Sequence, residues 1–387
     1  MSLFTQKSSI LITCAKGITP FLKEEILALG FPVQSEHIAG VETEGTLEDT
    51  IRLNLSIRTG QRVLYLIKRF IARSPDDLYK KMVAIPWEDY FLKNGYICIT
   101  SSVDNASVKD TRFANLKGKD AIVDRFYQKF NSRPSSGPKR DKSVVFIYWK
   151  KDRGSIYIDT SGESLSRRGY RKIPLAAPMQ ETLAAAVVLA SRWKGEEHFI
   201  NPMCGSGTLA IEAALIAMGK DPGSMRNNYG FMHINGFSKP HWRKIKGLAE
   251  ATQRKPPGKI IATDIDPKAI EAARRNAAAA GVDHLIEFGV CDFSDTPIPE
   301  GAGVVMLNPE YGERMGKIKE LEEVYKKIGD FFKQRCTGYR GYIFTGNLEL
   351  AKQVGLRAKT RIPFYNSNIE CRLFGYDLYS GSKKFKA

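Results

Sequence analysis

Four short polar motifs, each directly after an apolar run, contain the residue types and spacings that could do chemistry. The first is Asn201–Thr208, which reads NPMCGSGT. Its glycines at 205 and 207 let backbone approach a ligand closely, and a helix beginning at Thr208 would direct its amino terminus at polar or anionic groups. The dinucleotide fingerprint has a third glycine where this chain has Ala210, and no phosphate-loop Gly-Lys-Ser/Thr follows. The motif predicts a ligand-binding turn and leaves the ligand open.

The second and third motifs each place a carboxylate after an apolar run. Asp264 follows IIAT, and an acid at the end of a second strand can accept both hydroxyls of a ribose. Asp266 is better explained as a helix N-cap, because Pro267 suits the first position of a helix. Asp292 and Phe293 suit an adenine, by a hydrogen bond to its amino group and by stacking. A surface loop explains this last pair equally well.

The fourth motif is Asn308-Pro309-Glu310-Tyr311, which follows the apolar run VVML. The side-chain oxygen of Asn308 and the carbonyl of Pro309 can both accept hydrogen bonds from one planar amino group. The ring of Tyr311 offers a face for a base turned out of its stack. For an isolated motif, an Asn-Pro turn closed by Gly312 is an equally good explanation.

The elements that must position these motifs are predicted from hydrophobic periodicity. Strands are predicted at 198–200, 259–263, 286–290, 303–307 and 341–345, with helices at 179–193, 208–218 and 267–280. Strands that alternate with helices in this way predict an α/β fold with a parallel, doubly wound sheet. Residues before 160 predict an α+β region instead. There, residues 1–60 form a small module, and residues 61–160 form a second pattern that ends in a hairpin.

The charge balance indicates a polyanionic partner. The 387 residues include 59 Lys and Arg against 42 Asp and Glu, a net charge of +17. Each phosphate that such a surface neutralises releases condensed counterions. Residues 107–153 hold 13 basic and five acidic residues, so this stretch predicts a nucleic-acid surface, with a solvated face as the ordinary alternative. Lys139, Arg140 and Lys142 lie in its polar loop.

Several other classes of protein are disfavoured. No apolar run is long enough to span a bilayer, and residues 1–11 lack the apolar core of a signal peptide. The six cysteines contain no CxxC pair, so neither a disulfide framework nor a metal site is expected. Cys204 lacks an activating partner in sequence and is interpreted as a small buried residue. The expectation is a reduced, cytoplasmic protein without a metal or a membrane partner.

Taken in order, the four motifs resemble those of class I S-adenosylmethionine-dependent methyltransferases that modify exocyclic amines. Four further segments narrow the resemblance: KDAIVDRF from Lys119, SLSRRGYRK from Ser164, PMQETLAAA from Pro178 and YNSNIECRLF from Tyr365. Together they are similar to the THUMP-containing guanine-N2 RNA methyltransferases, in particular to the bacterial family that acts on 23S ribosomal RNA. The resemblance spans essentially the whole chain. It is most specific over 161–374 and weakest over residues 1–60.

The resemblance implies a domain order and a partner. It implies a ferredoxin-like module over residues 1–60, a THUMP RNA-binding domain over 61–160, a basic linker over 161–175 and a Rossmann-like methyltransferase domain over 176–387. The implied partner is RNA, either 23S ribosomal RNA or an assembling ribosomal particle. The RNA-binding candidates are then Lys139, Arg140 and Lys142 with two linker residues, Arg167 and Arg168.

The resemblance also assigns roles within the motifs, with S-adenosylmethionine as the cofactor. The residues that would hold its methionine part are Asn201, Pro202, Cys204, Gly205 and Gly207. Asp264 would hold its ribose, and Asp292 with Phe293 its adenine, while Glu181 and Thr182 fall in a helix that borders the cofactor. Asn308 and the carbonyl of Pro309 would hold the target amine, and Tyr311 would stack on the base.

Two positions depart from the family pattern, and the target base stays open. Glu310 stands where the family usually has a second proline, which removes a rigidifying residue and puts a carboxylate near the target base. Gln180 stands where a basic residue is common. The same motifs also fit a transfer RNA guanosine or adenine N6 as the target, or an RNA-binding assembly protein that has lost turnover.

Overall fold

The chain divides into two units whose segments are interleaved in sequence. The computed structural model describes residues 3–108, 110–175, 179–251, 254–310 and 318–379. The first unit comprises Met1–Ala15, Leu22–Arg167 and Arg226–Ala249, and the second comprises Lys16–Phe21, Arg168–Met225 and Glu250–Ala387. Residues 226–249 were expected within the domain at 176–387 but belong to the first unit. Chain segments join a unit through their contacts, which sequence order does not reveal.

The described residues form 15 strands and 11 helices. The strands are β1 Lys7–Thr13, β2 Ser35–His37, β3 Gly40–Thr46, β4 Arg62–Ile71, β5 Tyr96–Asp104, β6 Ser135–Ser136, β7 Ser143–Lys150, β8 Arg153–Asp159, β9 His198–Pro202, β10 Ile260–Asp264, β11 Ile286–Val290, β12 Gly303–Leu307, β13 Arg340–Thr345, β14 Thr360–Asn366 and β15 Ile369–Asp377. The helices are α1 Thr19–Ala28, α2 Leu47–Ser56, α3 Pro75–Val83, α4 Trp87–Tyr90, α5 Thr111–Phe130, α6 Glu181–Ala190, α7 Thr208–Met218, α8 Lys239–Ala251, α9 Pro267–Ala280, α10 Ile318–Arg335 and α11 Leu348–Gln353.

One eight-stranded sheet forms the centre of the first unit, in the order β2-β3-β1-β4-β8-β7-β5-β6. Strand β5 is parallel to β7 and β6, and the other neighbours are antiparallel. Because β4 pairs with both β1 and β8, the modules expected at 1–60 and 61–160 share this sheet. The boundary at residue 60 stays a prediction about domains, while the hydrogen bonding across it is continuous.

Helix starts in the structure follow signals that are visible in the sequence. Helix α3 begins at Pro75, after Ser74, whose hydroxyl accepts a hydrogen bond from the Asp77 N–H (3.2 Å) while the Asp77 carboxylate accepts from the Ser74 N–H (3.2 Å). Helix α9 begins at Pro267, after Asp266, whose carboxylate accepts from the Lys268 N–H (2.9 Å). The interpretation of Asp266 as an N-cap is therefore confirmed.

The second unit is built on a seven-stranded sheet in the order β11-β10-β9-β12-β13-β15-β14. Strands β9 to β13 are mutually parallel, which confirms the predicted doubly wound sheet. Strand β15 is antiparallel to β13 and to β14, so β14 and β15 form a hairpin at this edge of the sheet that the motifs do not predict. All five residues of β12 are buried, as expected for a central parallel strand covered on both faces.

Among residues 3–108, 110–175, 179–251, 254–310 and 318–379, no helix is long and apolar enough to cross a membrane. Within the same ranges, no group of three or more His, Cys, Asp or Glu side chains could hold a metal ion.

The ion-pair cluster between α4 and α5 provides a pH-dependent test of the first unit. Glu88 accepts hydrogen bonds from Arg125 Nε (2.6 Å) and from Lys129 Nζ (2.7 Å), and the Arg125 guanidinium lowers the pKa of this carboxyl to about 2. A carboxyl whose folded-state pKa is depressed stabilises the fold above its unfolded pKa of about 4.3, and loses that effect as the pH falls towards 2. Glu88→Gln is therefore expected to cost about 1–2 kcal/mol at pH 7, since partial exposure screens the pair.

The measurement is urea unfolding of wild type and Glu88→Gln between pH 7 and pH 3. The stability difference should shrink steadily below pH 4.5, because Glu88 then becomes protonated in the unfolded chain, whereas the folded protein keeps it ionised until the pH approaches 2. Asp76→Asn is the matched control, since its exposed pair with Lys117 should leave the unfolding midpoint nearly unchanged. A difference that does not change with pH would mean that the charge of Glu88 contributes nothing.

Candidate functional site

Three of the four sequence motifs begin at one edge of the sheet in the second unit. Strands β10 and β11 lie on one side of β9, and β12 and β13 lie on the other. In doubly wound sheets, ligands bind outside the carboxyl ends of the strands at the point where the strand order reverses. Here the loops after β9, β10 and β12 start at that point. Asn201 and Asp264 lie at the carboxyl ends of β9 and β10, and Asn308 directly follows β12.

The loop after β9 is a tight turn with an open side. The Cys204 N–H donates to the Thr263 carbonyl (2.9 Å), and the Gly205 N–H donates to Asp264 Oδ2 (2.8 Å). Gly205 has φ +55°, and a Cβ atom there would meet no atom within 4 Å. Gly207 has φ +81°, and a Cβ atom there would lie 2.9 Å from the Ala273 Cβ of α9. Gly207 is therefore required for packing, whereas Gly205 faces open space beside the backbone.

The carboxylate of Asp264 organises this loop from the end of β10. One oxygen accepts from the Gly205 N–H, and the other accepts from the Asp266 N–H (3.0 Å). Each carboxylate oxygen has a further lone pair for a hydroxyl donor. The structure thus places Asp264 where the sequence expects the ribose acid, next to the glycine turn.

Two asparagines connect the ends of β9 and β12. The fully buried Asn201 donates from Nδ2 to the Met306 carbonyl of β12 (2.8 Å), two residues before Asn308. The Oδ1 atoms of Asn201 and Asn308 are both buried, and neither has a hydrogen-bond partner among the described residues. A buried acceptor without a donor costs free energy, so each of these atoms is expected to meet a donor from a ligand.

Helix α6 contributes a third such atom. The side chain of Thr182 is almost fully buried, and its Oγ1 has no hydrogen-bond partner among the described residues. The neighbouring Glu181 accepts from Arg171 Nε (3.1 Å), and the same guanidinium donates to the Met179 carbonyl (2.7 Å). Arg171 thereby holds the start of α6, the segment that the sequence places beside the cofactor.

Asp292 and Phe293 are placed differently from the expectation. The Asp292 carboxylate accepts from the Ser294 N–H (2.9 Å) and hydroxyl (2.7 Å) at an exposed turn. Only 6% of Phe293 is exposed, and its ring packs edge-on against Phe331 of α10, with centroids 5.9 Å apart. The expected stacking face on Phe293 is therefore wrong, because the ring is part of the core. That these two residues border an adenine pocket stays a prediction.

The structure instead exposes two aliphatic side chains at this edge, which the sequence motifs miss. Ile265, directly after β10, is 70% exposed, and Val290, at the end of β11, is 52% exposed. Asp264 and Val290 are register partners in the two parallel strands, so the aliphatic residues lie on adjacent strand ends. Ile265 could have been singled out from the sequence, because it is an apolar residue between two aspartates, Asp264 and Asp266.

Cys204 is buried as expected, and burial raises the pKa of its thiol far above the usual value. A thiol held in this way stays protonated at neutral pH and is a poor nucleophile.

The fourth motif lies partly within the described residues. Pro309 is buried and Glu310 is exposed, while Tyr311 lies outside the described residues. The Glu310 carbonyl accepts from the Tyr325 hydroxyl of α10 (3.4 Å), which is also bonded to Thr345 Oγ1 at the end of β13 (2.7 Å). Tyr325 and Thr345 therefore connect the backbone at Glu310 to α10 and to the end of β13. They were missed because they lie 15 or more residues from it in sequence.

The RNA-binding candidates divide into exposed and buried residues. Lys139 and Lys142 are exposed, Arg140 is half-buried, and the Arg167 side chain is 77% exposed beside Glu163. Arg168 is only 1% exposed, and it forms an ion pair with the fully buried Glu212 of α7 (2.9 Å). The expectation that Arg168 contacts RNA is therefore wrong, because its charge is neutralised inside the second unit. The Tyr170 hydroxyl donates to the same carboxylate (2.9 Å).

Asn276 of α9 is a positioning residue that the sequence motifs miss. Its Oδ1 accepts from the backbone N–H groups of Lys172 (2.7 Å) and Ile173 (3.0 Å). Its Nδ2 donates to the carbonyls of Ile173 (3.1 Å) and Ser206 (3.1 Å). One buried amide thus ties the linker to the loop after β9. A lone asparagine among the alanines of α9 was the available signal.

Comparisons with known proteins agree with this arrangement. Residues 168–374 match the family described as the RMKL-like methyltransferase domain, residues 9–64 match the RlmL ferredoxin-like domain, and residues 72–159 match the THUMP domain. The chain therefore belongs to the RMKL-like methyltransferase family, with ferredoxin-like and THUMP domains before the Rossmann-like domain. This confirms the resemblance and the predicted fold class.

Two curated relatives bear the name ribosomal RNA large subunit methyltransferase K/L. The protein from Syntrophotalea carbinolica is 39% identical over 95% of this chain and 53% of its own length. The protein from Psychromonas ingrahamii is 38% identical over 95% of this chain and 50% of its own length. The chain thus spans about half the length of the curated relatives that it matches.

Two solved structures resemble the whole chain. A protein whose structure was solved as a complex with SAH is 26% identical, with a TM-score of 0.87 and coverage of 98% of this chain and 100% of that chain. A protein from Listeria monocytogenes, described as a predicted N6-adenine-specific DNA methylase, is 29% identical, with a TM-score of 0.87 and coverage of 96% and 97%.

The buried ion pair predicts opposite behaviour for two adjacent arginines. Arg168→Ala is expected to cost about 3–5 kcal/mol in the free energy of unfolding, because it leaves Glu212 buried without its charge partner. Arg167→Ala is the matched control and should leave stability nearly unchanged. Urea unfolding measures both. If Arg168→Ala kept wild-type stability and instead weakened RNA binding, its assignment to the interior would be overturned.

Proposed function

We propose that this chain transfers a methyl group from S-adenosylmethionine to the exocyclic N2 amine of a guanosine in 23S ribosomal RNA. The observation that carries the proposal is the buried Oδ1 of Asn308, directly after β12, which has no hydrogen-bond partner in the part of the chain that the structure describes. Asn201 connects β9, and the loop that follows it, to β12. The family and the names of the curated relatives support the same activity. An RNA substrate of this kind would place the protein in the cytoplasm.

The residues present fit S-adenosylmethionine on observations of this structure. The open space beside Gly205 accepts a ligand against the backbone, and the Oδ1 of Asn201 and the Oγ1 of Thr182 offer buried polar atoms without partners among the described residues. Asp264 has lone pairs left for ribose hydroxyls. Ile265 and Val290 offer apolar surface for an adenine, and Asp292 follows β11 two residues after Val290.

The mechanism follows from the residue types at the edge of the sheet. S-adenosylmethionine, when bound, supplies a methyl group that its sulfonium already activates. Asn308 Oδ1 and the Pro309 carbonyl accept the two N–H groups of the target amine, which turns the nitrogen lone pair out of conjugation with the ring. The same two acceptors stabilise the positive charge that develops on nitrogen, so alignment and electrostatics provide most of the rate enhancement. The alkylated amine is acidic enough to release its proton without a general base. Tyr311 would stack on the base.

The exposed basic residues supply the contact to RNA. Lys139, Lys142 and Arg167 are accessible, and Arg140 lies in the same loop as the two lysines. Their phosphate contacts would position the substrate without reading its sequence. The substrate is proposed to be 23S ribosomal RNA, free or within an assembling particle.

One comparison favours a second candidate. The Listeria protein is described as an adenine-specific methylase, and adenine N6 is also an exocyclic amine that the Asn308 motif could hold. A guanosine in transfer RNA is the remaining enzymatic alternative. The THUMP domain matched at residues 72–159 would support binding to either kind of RNA.

The deciding experiment incubates the purified protein with methyl-labelled S-adenosylmethionine and with unmodified ribosomal or transfer RNA transcripts. Nucleoside mass spectrometry then identifies the labelled base. N2-methylguanosine in 23S RNA is the expected product. Label in transfer RNA or on adenine would replace the proposed substrate, and absence of label with intact cofactor binding would favour an RNA-binding assembly protein.

Two substitutions should separate catalysis from cofactor binding. Asn308→Ala removes one acceptor of the target amine, so kcat should fall by about a hundredfold or more while the Kd for S-adenosylmethionine stays unchanged. Asp264→Ala removes the hydroxyl acceptor and the Gly205 contact, so the Kd should rise by about tenfold or more. Titration calorimetry and single-turnover assays measure the two effects. Unchanged turnover in Asn308→Ala would remove that residue from the mechanism.

Glu310 is expected to favour guanine over adenine. A carboxylate can accept a hydrogen bond from the guanine N1–H, whereas adenine presents an unprotonated N1 that would face the negative charge. Glu310→Gln should therefore lower kcat/KM for guanosine by about tenfold and leave cofactor affinity unchanged. Equal rates in competition assays with Glu310→Gln, or faster guanosine methylation by Glu310→Pro, would show that this carboxylate is a handicap.

A further inference from the structure

The outer face of α5 exposes four large apolar side chains. Phe113 is 45% exposed, Leu116 49%, Tyr127 48% and Phe130 40%. Because successive residues of an α-helix are rotated by about 100°, these four side chains lie within a sector of about 100° around the helix axis. They form two pairs, Phe113 with Leu116 and Tyr127 with Phe130, about three to four turns apart. Single exposed apolar residues are ordinary, whereas this arrangement of three aromatic rings on one helix face is not.

Most of the packing of α5 onto the sheet comes from other side chains of the helix. The opposite face of α5 supplies the packing, with Ala114, Ala121, Ile122 and Phe126 buried. Gly118 lets the helix approach the sheet closely, since a Cβ atom there would lie 2.9 Å from Ile147 Cδ1. Phe113, Leu116 and Tyr127 lie outside this inner face, whereas the ring of Phe130 also contacts that of the buried Phe126, with centroids 5.9 Å apart.

Each exposed ring has a cation beside it. Lys117 Nζ lies 5.8 Å from the ring centroid of Phe113, Lys129 Nζ lies 5.7 Å from that of Phe130, and the Arg133 guanidinium carbon lies 4.8 Å from that of Tyr127. An apolar protein partner that covered these rings would also have to desolvate the cations, at a cost in free energy. A nucleotide suits both groups, because its base can stack on a ring while its phosphate meets the cation.

We propose that this face, formed by Phe113, Leu116, Tyr127 and Phe130, binds unpaired nucleotides of the RNA substrate by base stacking. Seventeen residues separate Phe113 from Phe130, so the face extends over about 25 Å and has room for several unpaired nucleotides. The proposal rests on the proposed function for the identity of the RNA. It adds a surface that is distinct from the basic loop at 139–142.

The acidic neighbours of these cations do not prevent such binding. Lys117 pairs with Asp76, Lys129 with Glu88 and Arg133 with Asp124 at 3.9 Å. The pairs of Lys117 with Asp76 and of Arg133 with Asp124 lie at the surface, where such pairs stabilise a fold by about 1 kcal/mol or less, so a phosphate can replace the carboxylate. Lys129 is half exposed and Glu88 also pairs with Arg125, so a phosphate can share Lys129 with that carboxylate. The rings supply stacking energy, and the cations supply the attraction to phosphate.

The test uses the full protein chain and a single-stranded oligouridine of about 20 nucleotides in which one uridine is replaced by 2-aminopurine. Binding is expected to quench the 2-aminopurine fluorescence, because the base stacks on an aromatic ring. Tyr127→Ala and Phe113→Ala should each raise the Kd by about five- to a hundredfold and reduce the quenching. Tyr127→Phe should retain both, since the ring is preserved.

Two controls separate stacking from charge and from misfolding. Tyr148→Ala removes an exposed tyrosine from β7, and its effect on the Kd should be small. Tyr148 alternates with Ile147, which faces α5, so its side chain points to the other face of the sheet. The aromatic substitutions should leave the salt dependence of binding unchanged. Charge reversal at Lys139, Arg140 and Lys142 should flatten that dependence. Unchanged thermal unfolding verifies that each variant is folded.

The outcomes distinguish this inference from the proposed function. Unchanged oligonucleotide affinity in both alanine variants would overturn it. If sedimentation then showed reduced self-association, the face would be a protein contact instead. If the wild-type chain bound and quenched the oligonucleotide but transferred no methyl group to any RNA, the proposed function would fail and the stacking surface would stand.

Discussion

The hydrogen bond from Asn201 Nδ2 to the Met306 carbonyl (2.8 Å) is the contact on which the candidate site depends. It joins β9 to β12 where the strand order reverses, so the loops after both strands begin at one edge of the sheet. The amide donates through Nδ2, while its buried Oδ1 has no hydrogen-bond partner among the residues that the structure describes. The same side chain thus fixes the spacing of two loops and offers a polar atom to a ligand.

Buried polar side chains attach the linker to the second unit. Arg168 and Tyr170 share the Glu212 carboxylate, and Asn276 bonds to the backbone of residues 172, 173 and 206. A buried ion pair is costly to desolvate and often stabilises no more than apolar packing would. Its directional geometry instead specifies one placement of the linker. The loop after β9 gains its order from that placement, through the Ser206 carbonyl.

Helix α5 shows how one element serves packing and recognition with opposite faces. Its small residues let it approach the sheet, and Gly118 permits the closest contact. Apart from the contact of Phe130 with the buried Phe126, its exposed rings lie outside that packing, which leaves them available for a partner. Exposure of an aromatic ring beside a cation is therefore informative in a way that a single exposed leucine is not.

Much of the second unit could be predicted from local sequence. The strands at 198–200, 286–290 and 303–307 and the N-cap at Asp266 were visible, because periodicity and capping depend on neighbouring residues. The motif positions at Asp264 and Asn308 followed, since parallel strands bring their carboxyl ends together. Burial was decided by partners distant in sequence: Glu212 for Arg168, and Phe331 for Phe293. Tertiary packing alone therefore made one predicted RNA contact an internal ion pair and one predicted stacking ring a core residue, because desolvation depends on which groups meet in space.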